Sequence, residues 1–93
     1  MIFILENNDK VKEFLKKEFK FNIEEDIANV DDFKFKVFPN MLNSAKEILG
    51  YSTCRNYRNA IDNLDNRHTQ RIKNVVMSFG SAMYKKYNKD NDA

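Results

Sequence analysis

A small α+β domain, mostly helical, is the fold class this sequence predicts, with two short strands packed with three or four helices. Three observations carry that expectation. Apolar residues recur at three- and four-residue spacing through most of the chain. One tract, Phe33 to Val37, alternates strictly with lysine. Two glycines and one proline in 93 residues leave few places to interrupt a helix. The length makes one domain, residues 1–93. Eight phenylalanines give it an aromatic core despite 32% charged residues and a mean hydropathy of −0.70.

Met1 to Leu5 is short and apolar, which predicts a strand over residues 2–5. Asn8 or Asp9 then caps a helix with Val11, Phe14, Leu15 and Phe19 inward, and Glu13 precedes Lys17 by four residues, the favourable order for a helical ion pair. Asn22 followed by Glu24, Glu25 and Asp26 predicts a short helix or turn, because a capping side chain and acids in the first turn both suit a helix N-terminus. Asp31 and Asp32 are expected to break it. Phe33, Phe35 and Val37 alternate with Lys34 and Lys36, predicting a second strand over 33–38 with one buried and one wet face, ended by Pro39.

Met41, Leu42, Ala45, Ile48 and Leu49 return to helical spacing from a cap at Asn40 or Asn43, and Gly50 is placed to close that helix in a left-handed conformation. Ser52 is the expected cap of the next helix, with Tyr57, Ala60, Ile61 and Leu64 inward. The last helix carries Ile72, Val75, Val76, Phe79 and Met83, with Gly80 costing about 1 kcal/mol relative to Ala and a polar tail, 88–93, that frays. Between these two helices the signals conflict. Asp62 to Thr69 reads as a break, yet a stripe from Tyr57 through Ile61, Leu64, His68, Ile72 and Phe79 to Met83 keeps helical spacing. One helix from Thr53 to Tyr87 would be about 50 Å long, too long for this domain without a second chain. A break near Asp65 and Asn66 is the favoured reading, and a homodimer through the Tyr57 to Met83 stripe is its competitor.

The residue inventory narrows the chemistry. A single cysteine, Cys54, and a single histidine, His68, exclude an internal disulfide and a Cys/His zinc site. Cys54 beside Arg55 at a helix start reads as a thiol of lowered pKa but has no paired base, and His68 reads as a core or interface residue. Glu24, Glu25, Asp26, Asp31 and Asp32 with Lys34 faintly resemble the acid-and-lysine arrangement of metal-dependent nucleases. They read equally as helix caps in a loop, or as an acidic surface for a basic groove on another protein. No catalytic, metal or cofactor constellation is expected. Glu6 and Asp9 close behind Met1 to Leu5 leave no signal peptide or membrane span, so the expected location is the cytoplasm.

Charge gives the functional lead. Residues 1–50 hold eight basic and ten acidic groups, and residues 51–93 hold eight and four. All four arginines, Arg55, Arg58, Arg67 and Arg71, lie in the second part, where an anionic partner is expected. Ser44 to Leu64 has the outline of a helix-turn-helix. Its second helix would turn Ser52, Thr53, Arg55, Asn56, Arg58 and Asn59 to the ligand, since Arg suits guanine, Asn suits adenine and hydroxyls suit phosphate. Arg67, Arg71 and Lys73 would contact backbone phosphates, with Tyr84 and Tyr87 for stacking. If the helix breaks near Asp65, the two arginine pairs are able to converge on one anion.

Through Ala45, Leu49, Gly50 and Tyr51, a short polar turn, and Arg55 opening a helix, about twenty-five residues resemble the Bro-N domain of phage and viral antirepressors. The chain departs from that pattern where the apolar pair after the turn arrives late, at Ala60 and Ile61, and where Asp65 to His68 replaces the usual acidic stretch. The resemblance implies a DNA-binding regulator of phage or mobile-element origin. Two function classes follow: a small non-enzymatic nucleic-acid-binding regulator, with DNA as first expectation, or an interaction protein. The latter would be a phage-encoded, anti-CRISPR-like or anti-restriction-like inhibitor of a host nucleic-acid-processing protein.

Overall fold

Helical spacing prevails along most of the described residues. The computed structural model describes residues 2–92, with side chains described for residues 8–88, and every regular element among them is helical. In order these are α1 (Ile2–Phe19), α2 (Ile23–Asp26), α3 (Val30–Asp32), a π-helical turn (Phe33–Val37), α4 (Phe38–Leu49), α5 (Tyr51–Asp62) and α6 (Thr69–Asp92). The fold is all-helical, and the predicted α+β class with its two strands is overturned.

The first predicted strand, residues 2–5, is the opening turn of α1, which runs on through Asn8 and Asp9 instead of starting there. A short apolar run has no period of its own, so spacing does not separate strand from helix. Over residues 33–38 the alternation misled for a different reason. A strand would place Phe33, Phe35 and Val37 on one face, but Phe33 and Phe38 are buried while Phe35 is 69% exposed. The buried pair is five residues apart, the repeat of an i→i+5 turn, and the Phe38 N–H donates to the Phe33 carbonyl. Their rings stack at 5.2 Å with planes 27° apart. Pro39 explains the widened turn: it has no N–H for the Phe35 carbonyl, and its ring would crowd that oxygen in an ordinary α-turn.

Local capping chemistry sets the other boundaries. Asn22 caps α2 as predicted: its Oδ1 accepts from the Glu24 and Glu25 amides at 3.0 and 3.1 Å, and its own N–H donates to Asp26 Oδ2 at 2.7 Å. Asn29 caps α3 through the Asp32 amide. Asp31 and Asp32 therefore lie in a first turn, where the helix dipole favours acids, and do not break the segment. The helix expected from Asn40 or Asn43 instead continues from the π turn without a new cap.

The predicted break is present. α5 ends at Asp62 and α6 begins at Thr69, and between them the Asp65 carboxylate accepts from the Arg67 amide at 2.9 Å and from its guanidinium at 3.0 and 3.3 Å. This is an aspartate turn, in which a short side chain replaces the backbone's helical partner. Those hydrogen bonds hold the Asp65 carboxyl down at about 2. His68 is half-exposed and closes the turn, its N–H donating to the Asp65 carbonyl at 2.9 Å. Lys34 reaches over from the π turn to donate to the Asp62 and Leu64 carbonyls at 3.4 and 2.7 Å, which satisfies the end of α5.

With the helix broken, the stripe folds back on itself: Ile61, Leu64, Ile72, Phe79 and Met83 are all buried inside the single chain. A ladder of rings from Phe21 to Phe33, Phe38, Phe79 and Tyr57, at 5.2 to 5.8 Å, ties the middle of the chain to α5 and α6. α6 packs on α1, α4 and α5. Among the described residues no helix is long and apolar enough to cross a membrane.

Candidate nucleic-acid interface

A single residue, Gly50, separates α4 from α5. Its N–H donates to the Lys46 carbonyl at 2.9 Å and its carbonyl accepts from the Cys54 amide at 3.2 Å, so it closes one helix and opens the next. The positive φ expected here is present at 93°, but ψ is 153°, an extended conformation essentially reserved for glycine. The turn is tighter than the three to four residues typical of helix-turn-helix units. Ser52 is inside the first turn of α5 and is not its cap.

α5 is anchored from behind. Cys54 and Ile61 are buried, and half-buried Tyr57 sets its ring edge-on to Phe79 at 5.8 Å with its hydroxyl 3.3 Å from the Ser78 carbonyl. The residues expected to face a ligand, Ser52, Thr53, Arg55, Asn56, Arg58 and Asn59, are all exposed. Cys54 reverses its expectation: burial pushes its thiol up, with Lys46 opposing. The helix start does not lower it, because the side chain points into the core and not toward water.

Between α4 and α5 runs a cleft of about 250 Å³, with Leu42 and Cys54 below and Asn43, Lys46, Arg55 and Arg58 around it. Tyr51 stands at its mouth. The Lys46 Nζ and the Arg55 guanidinium carbon lie 5.4 and 5.0 Å from its ring centre, both within cation–π range. Arg58 has a loose contact, 3.9 Å, with Asp62.

The other predicted phosphate contacts are elsewhere. Neither Arg67 nor Arg71 lines this cleft. Arg67 is held by Asp65, and Lys73 pairs with Glu24 at 3.0 Å, which lowers the Glu24 pKa chiefly through that hydrogen bond. Arg71 is exposed on α6. Tyr84 and Tyr87 are half-buried and pack at steep angles against Phe14, with ring centres at 5.7 and 5.0 Å. Of the acids that resembled a nuclease site, Glu24 is paired with lysine, Asp26 accepts the Asn22 N–H, and Lys34 caps α5. Among the described residues no group of three acids, histidines or cysteines is placed to share a metal ion.

Among the described residues, Tyr51 and Phe35 are the large apolar side chains left exposed, at 63% and 69%. With Gly50 expected to close one helix and Ser52 to cap the next, Tyr51 fell between helices, and Phe35 fell on the predicted strand. The signal for Tyr51 was present in the spacing Tyr51, Arg55, Arg58, Asp62, which is one helical face. Comparison with protein families, with known proteins and with solved structures found no match to this chain.

Proposed function

We propose that this protein is a small, non-enzymatic nucleic-acid-binding regulator that meets its ligand with α5. The observation that supports this reading is the two-sidedness of that helix. Its apolar positions, Cys54, Tyr57 and Ile61, lock it to the core, while Ser52, Thr53, Arg55, Asn56, Arg58 and Asn59 face water. Those are residue types that bind phosphate oxygens and base edges. Arg71 adds an exposed cation, and Arg67 and Lys73 are able to exchange exposed carboxylate partners for phosphates. The phage or mobile-element origin rests on the Bro-N resemblance around Ala45 to Ile61.

A second reading, an inhibitor of a host nucleic-acid-processing protein, is favoured by Tyr51 lying exposed beside Arg55, since tyrosine and arginine dominate the energetics of protein interfaces. One titration separates the two. Labelled duplex DNA, single-stranded DNA and RNA are added at low and moderate salt to the wild type and to the Arg55→Ala/Arg58→Ala variant. The nucleic-acid reading expects binding that falls steeply with salt and a variant whose salt slope is shallower by about one per lost phosphate contact. No binding to any of the three, with a host protein recovered by pull-down, supports the inhibitor.

A further inference from the structure

The face of α5 that carries Arg55 and Arg58 begins on one exposed aromatic and ends near another. Tyr51, Arg55, Arg58 and Asp62 follow at spacings of four, three and four, a single stripe about 16 Å long. Phe35 stands by the far end, because the Lys34 Nζ lies 5.7 Å from its ring centre and 3.4 Å from the Asp62 carbonyl. Burial does not explain either ring. Phe35 is 69% exposed and Tyr51 63%, while Phe33, Phe38 and Leu42 are buried.

This arrangement suits an unpaired strand better than a duplex. A major-groove reader projects its arginines toward base edges, whereas Arg55 lies against the Tyr51 ring and both arginines line the wall of the α4–α5 cleft. Aromatic platforms have little to stack on in a closed duplex, where neighbouring bases cover each other's faces, but an unpaired strand presents a π-face at every nucleotide. The cations between and beside the platforms are then positioned for the phosphates. The stripe matches on the order of five stacked steps at about 3.4 Å each.

We infer that the ligand of α5 is single-stranded nucleic acid, stacked on Tyr51 and Phe35 with its phosphates on Arg55, Arg58 and Lys46. The inference rests on the reading of α5 as a nucleic-acid face. Its test measures fluorescence anisotropy of labelled oligo(dT), oligo(rU) and a duplex, each of about ten nucleotides. These are titrated with the full chain and with Tyr51→Ala, Tyr51→Phe and Phe35→Ala, and thermal melts check that each variant is folded.

Single strands are expected to bind at least about tenfold more tightly than the duplex, with each alanine variant about tenfold weaker and Tyr51→Phe close to wild type. Duplex binding that needs Arg55 and Arg58 but ignores Tyr51→Ala overturns this inference and leaves the proposed function standing, as does single-strand binding indifferent to both alanine variants. Failure of all three ligands to bind overturns both.

Discussion

Gly50 and Gly80 resist a methyl group for opposite reasons. A Cβ at Gly50 would meet nothing within 4 Å, so the obstacle there is the backbone, held at φ 93° and ψ 153°. Gly50→Ala is expected to lose about 1–3 kcal/mol, read by urea denaturation. Gly80 has ordinary helical geometry, but a Cβ would stand 2.7 Å from Val11 Cγ1 and 3.0 Å from Leu15 Cδ1, both on α1. Helix propensity alone favours alanine there by about 1 kcal/mol. The clash with a stiff β-branched side chain outweighs it, so Gly80→Ala is expected to destabilise by about 1–3 kcal/mol. A double-mutant cycle checks the cause: Val11→Ala should cost less in the Gly80→Ala background than alone. Asp65 gives a pH prediction. Its carboxyl, ordinarily at 3.8, is held at about 2 by Arg67, so the stabilisation it contributes is present above about 3.8 and is lost as pH falls through about 2. A carboxyl titration followed by NMR should find that low midpoint and should find it restored toward the ordinary value in Arg67→Ala.

The π turn is the element on which local pattern and final structure part. Alternation of Phe33, Phe35 and Val37 is a genuine period-two signal, but it spans only five residues and Pro39 follows at once. The structure ranks the two phenylalanines differently from a strand. Phe33→Ala should cost about 3–5 kcal/mol, while Phe35→Ala should stay within about 0.5 kcal/mol; thermal and chemical denaturation of both variants checks this, since a strand would have made both costly. Other elements were legible because their signals are local. Asn22 bonds to amides two and three residues on, and Asp65 turns the chain through the residue two positions later. The outward face of α5 was legible too, from Tyr57 and Ile61 fixing the inward one. Tyr51 shares its spacing with Arg55, Arg58 and Asp62, but its place on α5 was not fixed, because Ser52 was the expected cap and the structure starts the helix at Tyr51.

At the scale of the molecule, the fold is one helical core whose centre is aromatic. Phe79 touches Phe19, Phe38 and Tyr57 at 5.5 to 5.8 Å, so Phe79→Ala should lose about 3–5 kcal/mol. That is a large share of the roughly 5–15 kcal/mol typical of a domain, and a marked fall in melting temperature is the expected result. Far-UV circular dichroism should show helix without a strand component. Small-angle scattering should give a radius of gyration near the 12.8 Å of the fold, close to the roughly 12 Å scaling for a compact chain of this length. The sequence by itself determined the aromatic core, the cap at Asn22, the break at Asp65 and the polar face of α5, because each depends on spacing or on hydrogen bonds spanning a few residues. Only the tertiary structure decided that residues 33–37 coil and do not extend, that Phe35 and Tyr51 stay wet, and that Lys73 is held by Glu24. The physical reason is distance along the chain. Lys34 meets Leu64 thirty residues away and Lys73 meets Glu24 forty-nine away, and burial of one phenylalanine but not its neighbour depends on partners that no local period contains.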